Sequence, residues 1–267
     1  MKRDTVIGTF TVAALLCVVC SLLVSSAAVG LRPLQTSNRA WEKKRNILEA
    51  VGFASSRDAV AVEKAFRRIE TRVVDLATGK YVGTETIDPA VYDQVAAARN
   101  PELSIAISPD DDLAAIKRRE TYSLVHLVKN DAGEVDQVVL PVKGMGLWST
   151  LYGFLAIDRD LRTVRGLTFY EHRETPGLGG EVDNPDWKAQ WKGKLLFDDR
   201  GDVKIRVIKG TVDPGSSQSM HQVDGLSGAT ITSHGVTNLL HYWFGDHGYG
   251  PYLSELQNQW GTANGRP

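Results

Sequence analysis

The sequence predicts an α+β protein: an N-terminal transmembrane helix followed by a mostly antiparallel sheet domain with packed helices. Three observations predict it. Residues 5–31 carry no charge and include the run VIGTFTVAALLCVVCSLLVSSAAVG. The middle of the chain holds short β-branched and aromatic runs joined by tight turns, which is the pattern of hairpins. Helical periodicity is largely confined to segments before and after those runs, as in α+β rather than doubly wound folds.

The uncharged run is long enough to cross a bilayer, which takes roughly 20 apolar residues. A cleaved signal peptide is the alternative, and Ser25-Ser26-Ala27-Ala28 is small enough for cleavage. The apolar core of a signal is about 7–15 residues, however, so the run reads as a retained membrane helix. Lys2 and Arg3 precede it, while Arg32, Arg39, Lys43, Lys44 and Arg45 follow. A positive-inside count places the following domain in the cytoplasm, although large domains translocate despite such charges. The only cysteines, Cys17 and Cys20, lie inside the run and read as membrane-embedded small residues. The rest of the chain therefore has neither a disulfide nor a thiolate metal site.

The elements follow in order. LRPLQTSN (31–38) reads as a connector, and RAWEKKRNILEAVG (39–52) as a helix with Trp41, Leu48 and Val51 on one side and Gly52 as its stop. A second helix is expected from Asp58 to Ile69, with Val62, Phe66 and Ile69 inward. TRVVDLATGKYV (71–82) reads as a hairpin turning at Thr78-Gly79. Pro89 to Ala98 reads as a short helix. YSLVHLVK (122–129) and EVDQVVLPV (134–142) flank the turn Asn130-Asp131-Ala132-Gly133. LYGFLAID (151–158) and TVRGLTFYEH (163–172) flank another. Asn184-Pro185 caps a short helix, and VKIRVIKG (203–210) alternates as a half-buried strand does. The organisation is an anchor over 1–32, the first part of a soluble domain over 33–120 and its second part over 121–267. The 267 residues, 42% hydrophobic, suffice for such a domain. The net charge of -1 gives no electrostatic case for a nucleic-acid partner.

Three glycine-rich loops interrupt these elements: KGMGLWST (143–150), ETPGLGG (174–180) and DGLSGAT (224–230). Bare backbone lets amides approach a ligand, and a helix N-terminus favours an anion. Trp148 and Leu178 offer surface to a flat ring. Any one loop alone reads as a turn. Together they favour a phosphorylated aromatic cofactor, in the absence of a dinucleotide GxGxxG or a phosphate-loop motif. Thr230 alone reads as a helix cap. His234, His241 and His247 lack companion carboxylates, so no metal site is expected. Asp110-Asp111-Asp112 reads as a solvated helix start, and Lys117-Arg118-Arg119 as a solvated face.

DGLSGATITSHGV resembles the flavinylation motif, an Asp-Gly-x-Ser-Gly-Ala-Thr run whose last Thr carries FMN through a phosphoester. ETPGLGGEVDNPDW and GMGLWSTLYGF resemble the other signature stretches of the C subunit of the sodium-translocating NADH:quinone reductase. The hydrophobic N-terminus and FGDHGYGPYL match that family too, so the resemblance covers nearly the whole chain. It implies Thr230 as the covalent attachment site, with Asp224, Ser227, Gly228 and Ala229 framing it for a flavin transferase that takes FMN from FAD with a divalent metal. It makes Trp148, Ser149, Glu174, Thr175, Gly177 and Leu178 candidates to line the flavin or its ribityl chain. It implies a membrane flavoprotein, with no catalytic residue or metal of its own, that relays electrons between partner subunits. The complex so implied oxidises NADH, reduces ubiquinone and exports sodium across a bacterial inner membrane. The family places the soluble domain in the periplasm, against the charge count, and the family's placement is the one expected.

Three alternatives stay open at this level. One is the equivalent FMN-carrying subunit of a ferredoxin-linked ion-translocating redox complex. Another is a membrane-tethered non-redox binding domain in which Thr230 is only a cap. The last is an adaptor carrying phosphate alone on Thr230.

Overall fold

The computed structural model describes residues 6–53 and 58–263, so Lys2 and Arg3 of the charge count lie outside the described residues. A long helix, α1 (Val6–Ala50), opens the chain. The chain divides into two compact units, residues 1–43 and 44–267. In the first, α1 is exposed along its apolar run, and it is the one described helix long and apolar enough to cross a membrane.

The expected connector over 31–38 is helical instead. Pro33 lies inside the helix, where it removes one backbone donor. The Thr36 hydroxyl turns back to the Arg32 carbonyl at 3.0 Å, so its polar side chain is satisfied within the helix. α1 ends as expected. Gly52 lies just past it, and its amide reaches the Glu49 carbonyl at 3.0 Å.

The second unit is built on a six-stranded sheet. Its strands are β1 (Ile69–Asp75), β2 (Tyr81–Val82), β5 (Tyr122–Lys129), β6 (Val135–Met145), β7 (Thr150–Asp158) and β8 (Val164–Glu171). They lie in the order β2-β1-β5-β6-β7-β8, with every neighbouring pair antiparallel. The three predicted hairpins are all present. β1, from the part before residue 120, pairs with β5 along its whole length, from Ile69 opposite Val128 to Asp75 opposite Tyr122. Helix α5 (Thr230–Phe244) packs on β6: a Cβ on Gly144 would stand 2.4 Å from Leu239 Cβ, and Trp243 Nε1 donates to the Lys143 carbonyl at 2.7 Å. Trp191, Trp243, Tyr249, Leu140, Leu155 and Leu167 are fully buried in the resulting core. α6 (Gly250–Ala263) follows and adds Tyr252 and Leu256.

Several elements differ from expectation for local reasons. The second helix is shorter, α2 (Ala59–Phe66), because Ile69 pairs with Val128 and belongs to β1. The helix expected at 89–98 is α3 (Gln94–Arg99). Asp88 and Asp93 both cap nearby amides, and only the second starts a helix. Residues 203–210 keep their alternation, with Ile205 and Val207 buried, but the strand shrinks to β9 (Arg206–Val207), paired in parallel with β10 (Gln222–Val223). The amides there go to scattered partners: Ile205 to Leu196, Val207 to the Thr237 hydroxyl and Ile208 to Val223. No continuous ladder can form from such partners. Asp110–Asp112 form a turn rather than a helix start, with Asp112 accepting from the Ile116 and Lys117 amides. Lys117–Arg119 is not a solvated face. Arg118 and Arg119 lie in β4 (Arg118–Glu120), which pairs with β3 (Ser104–Ala106), and Arg119 turns inward to the His247 carbonyl. α4 (Pro185–Ala189) is capped by Asn184, as its sequence predicts.

Candidate functional site

The N-terminus of α5 is where the three glycine-rich loops meet. Thr230 is the first residue of the helix, and the cap position belongs to Ala229, which makes no side-chain cap bond. Thr230 is exposed, and none of the described residues hydrogen-bonds to its hydroxyl. It is therefore not a cap. The first amides of a helix have no intrahelical partner and carry the positive end of its dipole. An open hydroxyl thus stands beside donors that favour an anion.

Glu174 fastens the loops together. Its buried carboxylate accepts from three successive amides of the first loop, Leu147 at 3.2 Å, Trp148 at 3.0 Å and Ser149 at 3.3 Å. The fourth donor is the buried Thr232 hydroxyl, at 2.6 Å, on the first turn of α5. Burial pushes the carboxyl upward, but the bonds from Thr232 and the three amides outweigh it and hold Glu174 below the usual carboxylate range. Ser149 adds a second tie by accepting the Arg173 amide at 2.8 Å. The 172–183 segment is braced in turn by His172, whose ring meets Asp183 at 2.8 Å.

Glycine permits the close approach. Gly228 has φ +70, a left-handed conformation that costs other residues about 1–2 kcal/mol. A Cβ there would also stand 2.8 Å from Leu178 Cδ2, so the second and third loops touch through it. At Gly235 a Cβ would meet the Met145 carbonyl at 2.3 Å, which sets α5 directly on the end of β6.

Asp224 is a structural anchor. Its carboxylate accepts from the Val212 amide at 2.7 Å and from Gln190 Nε2 at 3.1 Å. Its own amide donates to Gln190 Oε1 at 3.0 Å, and its carbonyl accepts from Trp187 Nε1 at 2.8 Å. Ser227 is exposed and Ala229 buried. Thr175 and Gly177 are exposed on the second loop, where the Thr175 carbonyl takes the Leu178 and Gly180 amides.

Five apolar side chains stay out in solvent on these segments: Met145 (37% exposed), Leu147 (41%), Trp148 (67%), Leu178 (43%) and Ile231 (58%). Exposed apolar groups gathered on converging loops mark a surface for an apolar partner. Leu147 and Ile231 escaped the sequence reading, although each adjoins a residue it named. Thr232 and Gln190 escaped it as well. Their roles depend on partners 58 and 34 residues away, which no local pattern shows. Among the described residues no three His, Cys, Asp or Glu side chains are arranged to hold a metal. The His241 ring bonds the Ile205 carbonyl, and His247 lies 3.7 Å from Asp111.

The comparison with protein families makes this an FMN-binding domain protein, here with an N-terminal apolar helix. The family model for the FMN-binding domain matches residues 146–245, which contain all three loop tips and Thr230. Over 258 residues the chain is 49% identical to the C subunit of a Na(+)-translocating NADH-quinone reductase from Pseudomonas aeruginosa, covering 96% of this chain and 98% of that one. It is 46% identical to the protein of the same name from Yersinia pestis, over 96% and 95% of the two chains. The crystal structure of Shewanella oneidensis NqrC superposes with a TM-score of 0.76 at 36% identity, covering 84% of this chain and 99% of that one. The chain belongs to the NqrC family, the C subunits of the Na(+)-translocating NADH-quinone reductase. It is thus an FMN-binding member of a multi-subunit oxidoreductase complex, and its apolar helix is consistent with a membrane anchor.

Proposed function

We propose that Thr230 carries FMN through a phosphoester formed from its hydroxyl, and that the protein relays single electrons between its partners. The observation that carries this is the exposed, unpaired Thr230 hydroxyl at the uncapped N-terminus of α5, where three loops converge. When bound, the isoalloxazine supplies one-electron chemistry, tuned by packing and nearby charge.

This chain's residues supply anchoring, shape and rigidity. Thr230 Oγ1 attacks the FMN phosphorus of FAD. An O–P bond forms, the pyrophosphate P–O bond breaks, AMP leaves with the electron pair, and the hydroxyl proton passes to a base of the flavin transferase. The first-turn amides of α5 and the bare backbone at Gly228 suit the phosphodiester. Leu147, Trp148, Leu178 and Ile231 offer apolar surface to the ring. Ser149, Thr175 and Gly177 rim the ribityl chain. Glu174 acts by positioning, since its oxygens are already engaged by protein donors. Asp224, Ser227, Gly228 and Ala229 form the frame the transferase reads.

The names of the relatives support a complex that oxidises NADH, reduces a quinone and translocates sodium; ubiquinone as the acceptor, sodium export and the placement of those sites largely on other subunits rest on the family resemblance. The resemblance supports a bacterial inner-membrane location with the domain in the periplasm.

The test is the intact mass of the full-length chain co-produced with a flavin transferase, beside its Thr230→Ala variant. One FMN on the parent and none on the variant is the expected result. A parent that stays unmodified beside an active transferase overturns the reading.

A further inference from the structure

His172 follows the last residue of β8 and leads into the second glycine-rich loop. Its ring is partly buried and has a partner at each nitrogen. Nε2 meets Asp183 Oδ2 at 2.8 Å, and Nδ1 lies 3.2 Å from the Glu174 main-chain nitrogen. A backbone N–H can only donate, so Nδ1 accepts and the ring proton sits on Nε2, where it points to the carboxylate. This one tautomer satisfies both contacts. The imidazolium does not, because a proton on Nδ1 faces the Glu174 N–H, donor against donor.

Glu174 is thus held at two points. Its carboxylate fastens the first loop and α5, while its main chain hangs from the His172 ring. From there the chain runs through Thr175 and Gly177 to Leu178, which lies against Gly228, two residues before Thr230. We propose that His172 is a positioning residue of the site: with its proton on Nε2 the ring sets the course of the second loop, and a second proton, on Nδ1, releases Leu178 from its place beside the third loop. That this loop holds FMN rests on the reading of Thr230 as the carrier.

The charges that reach the ring are those of Asp183 and Glu174, both on its own segment. Glu171 and Arg173, both exposed, flank it in the chain, and β7 places Tyr152 opposite Glu171. The Asp183 hydrogen bond and the charges of Asp183 and Glu174 outweigh burial and push the ring above the ordinary histidine value of 6.5. The tie to Asp183 is therefore fully present below that value and weakens as pH rises through the folded one. The tie to Glu174 has the opposite sign, since the neutral ring makes it and it is lost as pH falls through the same value. A residue that only braced the segment against Asp183 would tighten it in acid, whereas His172 lets the loop go.

The test is NMR of the full-length, unflavinylated chain in detergent micelles, with labelled histidine and leucine, from about pH 9 to about pH 5. The parent is compared with H172N and H172Q, which leave Asp183 and the other histidines in place. Asn puts Oδ1 where Nδ1 stands and cannot titrate. Gln puts a donor where Nε2 stands and offers the Glu174 amide no acceptor. At the alkaline end the ring nitrogen shifts of His172 should show the proton on Nε2. The Leu178 methyl resonances should shift through the ring's own midpoint in the parent and lose that step in H172N. In H172Q they should sit at the parent's acid position throughout. Glu174, held below the usual carboxylate range, stays ionised across this window and cannot produce the step. On the flavinylated chain, flavin fluorescence should show the same step in the parent and lose it in H172N. A His172 ring carrying Nδ1–H at the alkaline end overturns the inference. So do Leu178 resonances that ignore the ring's titration, or an H172Q chain that matches the alkaline parent, and His172 is then a brace for Asp183 alone. A chain that never takes FMN ends the reading of Thr230, and the Leu178 resonances still decide the role of His172.

Discussion

Replacing Glu174 by Gln tests whether the site is held together as described. Glu174 Oε1 accepts the Trp148 and Ser149 amides, and Oε2 accepts the Leu147 amide and the Thr232 hydroxyl. Gln keeps the shape and can keep the first pair. At the second position an NH2 group then faces the Leu147 amide, donor against donor, while the Thr232 hydroxyl can turn to accept. One buried donor is left unsatisfied and the charge assistance of the other bonds is lost, a cost of about 2 kcal/mol. For a domain of this size that lowers Tm by about 4–8 °C. The carboxylate's pKa is depressed on folding, so its stabilising contribution is present above the ordinary carboxylate range and lost as pH falls through the lower folded value. The gap between parent and E174Q should therefore be constant from pH 8 to about pH 5 and narrow only below about pH 4. Thermal unfolding of the full-length chain in micelles, followed by tryptophan fluorescence, measures it. A variant melting within a degree of the parent at pH 7 would refute the fastening role, whatever its flavin content.

Other perturbations follow from the same geometry. Gly228→Ala forces a left-handed Ala and moves Leu178, so Tm should fall by about 2–8 °C and FMN incorporation should slow, both read on one sample. Glu120, fully buried, pairs with Lys143, itself nearly buried, and also meets Gln94. Removing either partner alone should cost about 3–5 kcal/mol, and the double replacement Glu120→Gln with Lys143→Met should cost clearly less than the sum. Additive costs in chemical denaturation would contradict the pairing.

The long apolar helix, the three hairpins and the antiparallel class are legible because each is written in contiguous residues. Uncharged length gives the first, and period-two runs around Gly79 and Asn130–Gly133 give the others. What failed has a common cause. The connector at 31–38 carries loop composition, yet α1 runs continuously through it. The 203–210 stretch has the alternation of a strand, yet its amides find partners in Leu196, Thr237 and Val223 rather than in a neighbouring ladder. Lys117–Arg119 has the composition of a solvated face, but tertiary pairing with β3 turns Arg119 inward. At the site, the loops and Thr230 could be singled out from their bare backbone and hydroxyls. That Glu174 binds the first loop to α5, and that Gln190 locks Asp224, depends on contacts across the fold.

The missing cap at α5 links stability to the proposed modification. Ala at a cap position forgoes about 1 kcal/mol relative to Ser, Thr, Asp or Asn, and no side chain among the described residues replaces it. A negative group on the adjacent Thr230 would act on the same uncompensated amides, worth about 0.3–1 kcal/mol at low salt. Thr230→Asp places such a charge without any flavin. Its comparison with Thr230→Asn, of equal size and no charge, isolates the electrostatic part. At low ionic strength the Asp variant should melt about 1–3 °C above the Asn variant, and the difference should shrink at 1 M salt, where screening reaches about 3 Å. An Asp variant no more stable than the Asn variant would mean that the helix terminus offers nothing to an anion. Anchoring at Thr230 would then rest on the apolar contacts of Trp148, Leu178 and Ile231 alone.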